Sequence, residues 1–97
     1  MRLATNGITL GYDLLGNGTA VLFLHAFPLH RRMWAAQGEA LRGQARPLTV
    51  DFRGFGESDP SPAPFGLATL ADDVFALARK VGITRAIVVG LSIGGYV

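Results

Sequence analysis

The chain is 97 residues long with no cysteine, 13 glycines and 5 prolines, and 49% of its residues are hydrophobic against 16% charged. At one domain per roughly 100–200 residues it holds at most one small domain, and the missing cysteines exclude a disulfide framework, a thiolate metal site and cysteine nucleophile chemistry. Nine basic and seven acidic residues leave a net charge of +2, and no basic run exceeds two residues, so nothing favours a nucleic-acid partner.

The longest apolar stretches, Ala20 to Leu24 and Ala86 to Val89, fall far short of the roughly 18 residues that cross a bilayer, and no membrane association is expected. The first residues, Met1 to Gly7, lack the continuous apolar core of a secretory signal. A cytoplasmic location, with no cofactor and no metal, is the expectation.

Asn6-Gly7 marks a tight hairpin, because both residues accept positive φ, between Arg2–Thr5 and the alternating Ile8, Leu10, Tyr12 and Leu14. After Gly16-Asn17-Gly18, the uninterrupted run Ala20 to Leu24 reads as a central strand buried on both faces. Arg31 to Arg42 predicts a short helix with Trp34 and Leu41 on one face and Gly43 as its stop. Pro47 to Val50 predicts another buried strand, followed by a loop from Asp51 to about Gly66. Leu70, Val74, Leu77 and Val81 then fall on one helical face, with Thr69 and Asp72 as a capping box and Gly82 as the stop. Arg85 to Val89 predicts a strand, and a helix is expected to start after Gly90. A hairpin followed by strand, helix, strand, helix and strand is the opening of an α/β sheet with parallel crossovers.

Gly90-Leu91-Ser92-Ile93-Gly94 matches G-x-S-x-G between a buried strand and a helix start. In that context Ser92 occupies a sharp turn and Gly90 and Gly94 leave room where side chains would collide, so that the Ser92 hydroxyl projects above the carboxyl ends of the strands. His25-Ala26-Phe27-Pro28 leaves the strand Ala20 to Leu24 at the same end of the sheet. A serine nucleophile needs donors aimed at the oxyanion, and the backbone N–H groups of Ile93 and Phe27 are the candidates. Taken alone, His25 fits a loop-bonding histidine better than a base, and His30 between two arginines is expected in solvent. Asp51, Arg53 and Ser58 read as loop scaffold, with Arg53 donating to Asp51 or to nearby carbonyls. Trp34 reads as core or pocket wall.

Three motifs in order resemble the α/β-hydrolase fold, in particular its small esterase, enol-lactonase and cofactor-free haloperoxidase-like group. His25-Ala26-Phe27-Pro28 is similar to that group's His-Gly-x-Pro loop, with Ala26 in place of glycine. Asp51 to Ser58 is similar to its Asp-x-Arg-Gly-x-Gly-x-Ser loop, and Gly90 to Gly95 to its Gly-x-Ser-x-Gly-Gly elbow. The resemblance implies an α/β fold and a serine hydrolase acting on small carboxylic esters or lactones through an acyl-enzyme on Ser92.

In that fold the acid and the histidine follow the serine in the chain, and only five residues follow Ser92 here. The 97 residues are therefore expected to be the N-terminal segment of a single α/β-hydrolase domain, inactive or very weakly active alone, with acid and histidine supplied from outside. The expected partners are a small ester or lactone and either the remainder of the enzyme or a second copy, across the Arg85–Val89 edge. The competing expectation is a non-catalytic binding or assembly module that keeps the hydrolase scaffold.

Overall fold

The computed structural model describes residues 1–97. It opens with a hairpin in which β1 (Arg2–Thr5) pairs antiparallel with β2 (Ile8–Leu14), Thr5 opposite Ile8. Asn6 and Gly7 take φ of 50° and 76°, the pair of positive values that lets a two-residue turn follow the strand twist. With β3 (Ala20–Leu24), β4 (Arg46–Val50) and β5 (Ile87–Gly90) the hairpin forms a five-stranded sheet in the order β1-β2-β4-β3-β5. β3 runs parallel to both of its neighbours, β4 and β5, while β2 is antiparallel to β4.

A strand between two parallel neighbours needs cover on both faces, and all five residues of β3 are buried. Alternation divides them. Ala20, Leu22 and Leu24 join Leu10, Leu48, Val50 and Phe52 in the main core, whereas Val21 and Phe23 turn to a smaller cluster with Ala45, closed by Trp34, Leu41 and Val89.

Between β3 and β4 the chain forms a 3-10 turn (Arg31–Trp34) and then helix α1 (Ala35–Leu41), where the sequence predicted one helix over Arg31–Arg42. The first turn winds tighter because His30 caps it, accepting from the Arg32 N–H at 3.3 Å, while the Arg31 N–H is drawn to the Asp51 carboxylate at 2.6 Å. α1 ends without a left-handed glycine: Gly43 keeps negative φ, and the N–H groups of Gln44 and Ala45 both donate to the Leu41 carbonyl.

Helix α2 (Leu67–Lys80) lays Leu70, Val74 and Leu77 on the core. It starts two residues before the predicted Thr69, with Gly66 at the N-cap position and no capping side chain, because Leu67 and Ala68 are strong helix formers that extend it backward. Its end follows the sequence closely. Gly82 has φ of 84°, its N–H donates to the Arg79 carbonyl at 3.0 Å, and the Ile83 N–H donates to the Ala78 carbonyl at 2.8 Å. These are the two bonds of a Schellman motif, with Ile83 tucked into the core.

β4 begins at Arg46, one residue earlier than predicted, and β5 runs over Ile87–Gly90 in place of Arg85–Val89. Pairing with β3 sets both limits, since Arg46 lies opposite Ala20 and Ile87 opposite Val21. β5 is the outer strand, and Ile87 and Val88 are 57% and 56% exposed. No helix is long and apolar enough to cross a membrane.

Candidate active site

β5 ends at Gly90 and helix α3 (Ile93–Tyr96) begins at Ile93, so Ser92 sits on a strand-to-helix turn, exposed, with φ 57° and ψ −120°. A side chain holds positive φ only where its surroundings over-determine the backbone. Here main-chain packing does so. A Cβ at Gly94 would strike the Leu24 carbonyl oxygen and come within 2.9 Å of the His25 carbonyl oxygen, and one at Gly90 would lie 2.5 Å from Gly94 backbone atoms. The two glycines therefore let α3 start against the end of β3, and the Leu91 N–H closes the corner by donating to the Leu24 carbonyl at 3.3 Å.

Because Leu24 pairs with Gly90 in a parallel register, the His25–His30 loop and the Ser92 turn leave the sheet side by side. His25 is fully buried. Its Nε2 accepts from the Phe52 N–H at 3.0 Å, which places the proton on Nδ1, and Nδ1 donates to the Ala26 carbonyl at 2.9 Å. Both ring nitrogens are thus committed to holding the loop, and the ring packs 4.4 Å from Phe52 and 5.5 Å from Phe55. Ala26 is not among the positive-φ residues, so the methyl group that replaces the usual glycine brings no left-handed strain. The N–H groups of Phe27 and Ile93 have no acceptor within the chain. Phe27 itself is 63% exposed, its ring meeting that of Phe55 edge-on at 5.7 Å.

Burial holds the His25 pKa below its ordinary 6.5, against the opposing pull of the Ala26 carbonyl and Asp51. Between the folded and unfolded values the unfolded chain binds more protons. Stability is accordingly complete above about pH 6.5 and declines as pH falls through that window. Urea midpoints measured from pH 7.5 down to 5.5 are expected to drop in the parent, with a shallower drop in His25→Gln; equal slopes would contradict the neutral, buried ring.

Asp51 is also fully buried. Its carboxylate accepts from the N–H groups of Arg31 at 2.6 Å and Glu57 at 2.9 Å and from the Arg31 guanidinium, in a cage where a Cβ at Gly56 or Gly11 would collide with it. Arg53, expected beside Asp51, instead makes a two-pronged pair with Asp73 on α2, both bonds 2.7 Å, and donates to Ser61. The fork of Arg53 matches the Asp73 carboxylate, while Asp51 is already filled by Arg31. Ser58 links the loop to the sheet, donating to the Asp51 carbonyl at 2.6 Å and accepting from the Gly11 N–H at 2.9 Å.

Arg31 and Asp73 were not singled out from the sequence. Asp73 lies three residues from Leu70 and four from Leu77, inside the apolar stripe, and an acid at that spacing was the available sign. A cavity of about 510 Å³ between α2 and β5 is lined by Phe75, Ile83 and Val88, not by Ser92.

A family model for the alpha/beta hydrolase fold matches residues 19–97, and the chain belongs to that family. It is 35% identical over 91 residues to the AB hydrolase superfamily protein YisY of Bacillus subtilis, covering 93% of this chain and 34% of YisY. It is 36% identical to epoxide hydrolase 2 of Siraitia grosvenorii, covering 91% and 29%. Among solved structures, a thermophilic esterase from Thermogutta terrifontis superposes with a TM-score of 0.93 at 41% identity, covering 99% of this chain and 38% of the esterase. The chain spans about a third of the length of the curated relatives it matches.

Proposed function

We propose that Ser92 is the nucleophile of a serine hydrolase acting on small carboxylic esters or lactones, that its turn is a nucleophile elbow, and that the Phe27 and Ile93 N–H groups form the oxyanion hole. The observation that carries this reading is Ser92 at positive φ on an exposed strand-to-helix turn, beside a loop with an unpartnered N–H. Attack by Oγ on the carbonyl carbon makes an O–C bond and moves an electron pair onto the carbonyl oxygen, where two preorganised donors stabilise it. Collapse expels the alkoxide, and water then releases the acyl group from Ser92.

The Ser92 proton needs a base. His25 is buried with both nitrogens engaged, and His30 caps the 3-10 turn. The histidine and its acid are therefore supplied by sequence outside these 97 residues, and the open β5 edge is where further sheet, from the remainder of the enzyme or from a second copy, pairs.

Epoxides, the substrates named for the Siraitia relative, open at a saturated carbon and form no tetrahedral carbonyl intermediate. A serine beside two free N–H groups suits acyl transfer better. The enzyme that carries this chain is expected to turn over p-nitrophenyl acetate and a small lactone and to leave styrene oxide intact. The 97 residues alone are expected to hydrolyse the ester at least about a thousandfold more slowly. Faster epoxide opening than ester hydrolysis overturns the substrate class, and robust saturable turnover by the 97 residues alone overturns the external base.

A further inference from the structure

We propose that Arg31 is a positioning residue that fixes the course of the His25–His30 loop and so aims the Phe27 N–H. This inference rests on the oxyanion role proposed above. The loop runs between two fully or nearly fully buried side chains, His25 at 0% and Arg31 at 4% exposure. Between them Phe27, Pro28, Leu29 and His30 are exposed, so the core does not hold them. Inside the loop the Ala26 carbonyl accepts from the Leu29 N–H at 2.8 Å and from His25 Nδ1 at 2.9 Å, the Ala26 N–H contacts Met33 Sδ at 3.2 Å, and the Phe27 ring meets Phe55 edge-on. From Phe27 to Leu29 no other hydrogen bond holds the backbone, so its path there is set by the anchored ends.

The two ends are fastened to adjacent residues where β4 gives way to its loop, His25 to Phe52 and Arg31 to Asp51. His25 accepts from the Phe52 N–H. Arg31 reaches Asp51 twice, through its own N–H at 2.6 Å and through Nη1. The other arms of the guanidinium spread to Asp13 on β2, with Nε 2.8 Å from Oδ2, and to Glu57. One planar fork thus joins three carboxylates, Asp13 on β2 and Asp51 and Glu57 in the loop after β4, which the single point charge of a lysine does not reproduce. Burial works against the guanidinium's charge, and the bonds to Glu57, Asp13 and Asp51 outweigh it and raise its pKa. A loop anchored this way returns the Phe27 N–H to one place.

The test uses the intact enzyme that carries this chain, with p-nitrophenyl acetate turnover and amide hydrogen exchange of residues 26–30 as separate readouts. Arg31→Lys and Arg31→Gln are expected to lower kcat about tenfold to a hundredfold, below the loss of a whole oxyanion donor, with KM within about twofold. Exchange of the Ala26 and Leu29 amides, the two in residues 26–30 that have acceptors, is expected to rise about tenfold while exchange around Ser92 stays at the parent rate. Glu57→Gln, which loosens the half-exposed arm and leaves Asp51 in place, is expected to move both readouts the same way by about threefold, and it serves if the Arg31 variants fail to fold. Arg42→Gln, at an exposed pair with Glu39, is the unchanged control. Parent kcat and parent exchange in the variants overturn the proposal, as does a raised KM with unchanged kcat, and so does full rescue by lysine. If Ser92→Ala keeps parent turnover, the acyl-transfer reading falls instead, and the exchange of residues 26–30 alone then decides whether Arg31 holds the loop.

Discussion

Ser92→Ala is expected to reduce ester turnover by the enzyme carrying this chain by at least about a thousandfold, because members of a catalytic unit fail together when the nucleophile is removed. The same change is expected to leave stability within about 0.5 kcal/mol. Ser92 makes no side-chain hydrogen bond at the start of α3, and alanine bears the same positive-φ strain as serine, so the fold loses nothing in the exchange. Steady-state kinetics paired with a urea melt checks both halves. Turnover within tenfold of the parent would remove Ser92 from the chemistry. A large drop in stability together with the loss of activity would show instead that the hydroxyl supports the turn.

Asp73→Ala is expected to cost about 3–5 kcal/mol, the range for breaking a buried ion pair from one side. Asp73 is 1% exposed, and its carboxylate takes both prongs of Arg53 and the Asn6 side-chain amide at 2.8 Å. Deleting it strands the Arg53 guanidinium, itself 9% exposed, away from water. A loss of that size approaches the whole stability of a small domain, about 5–15 kcal/mol. Urea unfolding of Asp73→Ala beside Asp72→Ala, whose side chain is exposed, separates the pair from a general helix effect. The double variant Arg53→Met, Asp73→Leu is expected to regain most of the loss, since it leaves no buried charge behind. An Asp73→Ala cost below about 1 kcal/mol would mean that water reaches Arg53.

The elements that could be read from the sequence are those with a local cause. Asn6-Gly7 announces its turn through two tolerated positive φ values, the run Ala20 to Leu24 announces a strand covered on both faces, and Gly82 announces the end of α2. Gly90 and Gly94 are legible for the same reason, because each marks a place where backbone crosses backbone. Boundaries were less legible where partners set them: β5 starts at Ile87 because that is where Val21 offers a ladder, and no residue between Arg85 and Ile87 signals it. The ion pairs were the least legible. Arg31 meets Asp51 across 20 residues and Glu57 across 26, and Arg53 meets Asp73 across 20. No helical or strand period relates such positions, so the sequence placed Arg53 beside the nearest acid, Asp51, which the folded chain gives to Arg31.

An acyl group on Ser92 is the most direct sign of the chemistry proposed for this chain. The enzyme carrying it is mixed with p-nitrophenyl acetate, quenched in acid during turnover, digested, and the peptide containing Gly90 to Gly94 is weighed. The expected result is an acetyl group on Ser92 that appears within the first turnover, is absent from Ser92→Ala, and disappears once substrate is exhausted. Full turnover with no acetyl group on that peptide in the parent, or with the label carried on another residue, would contradict it.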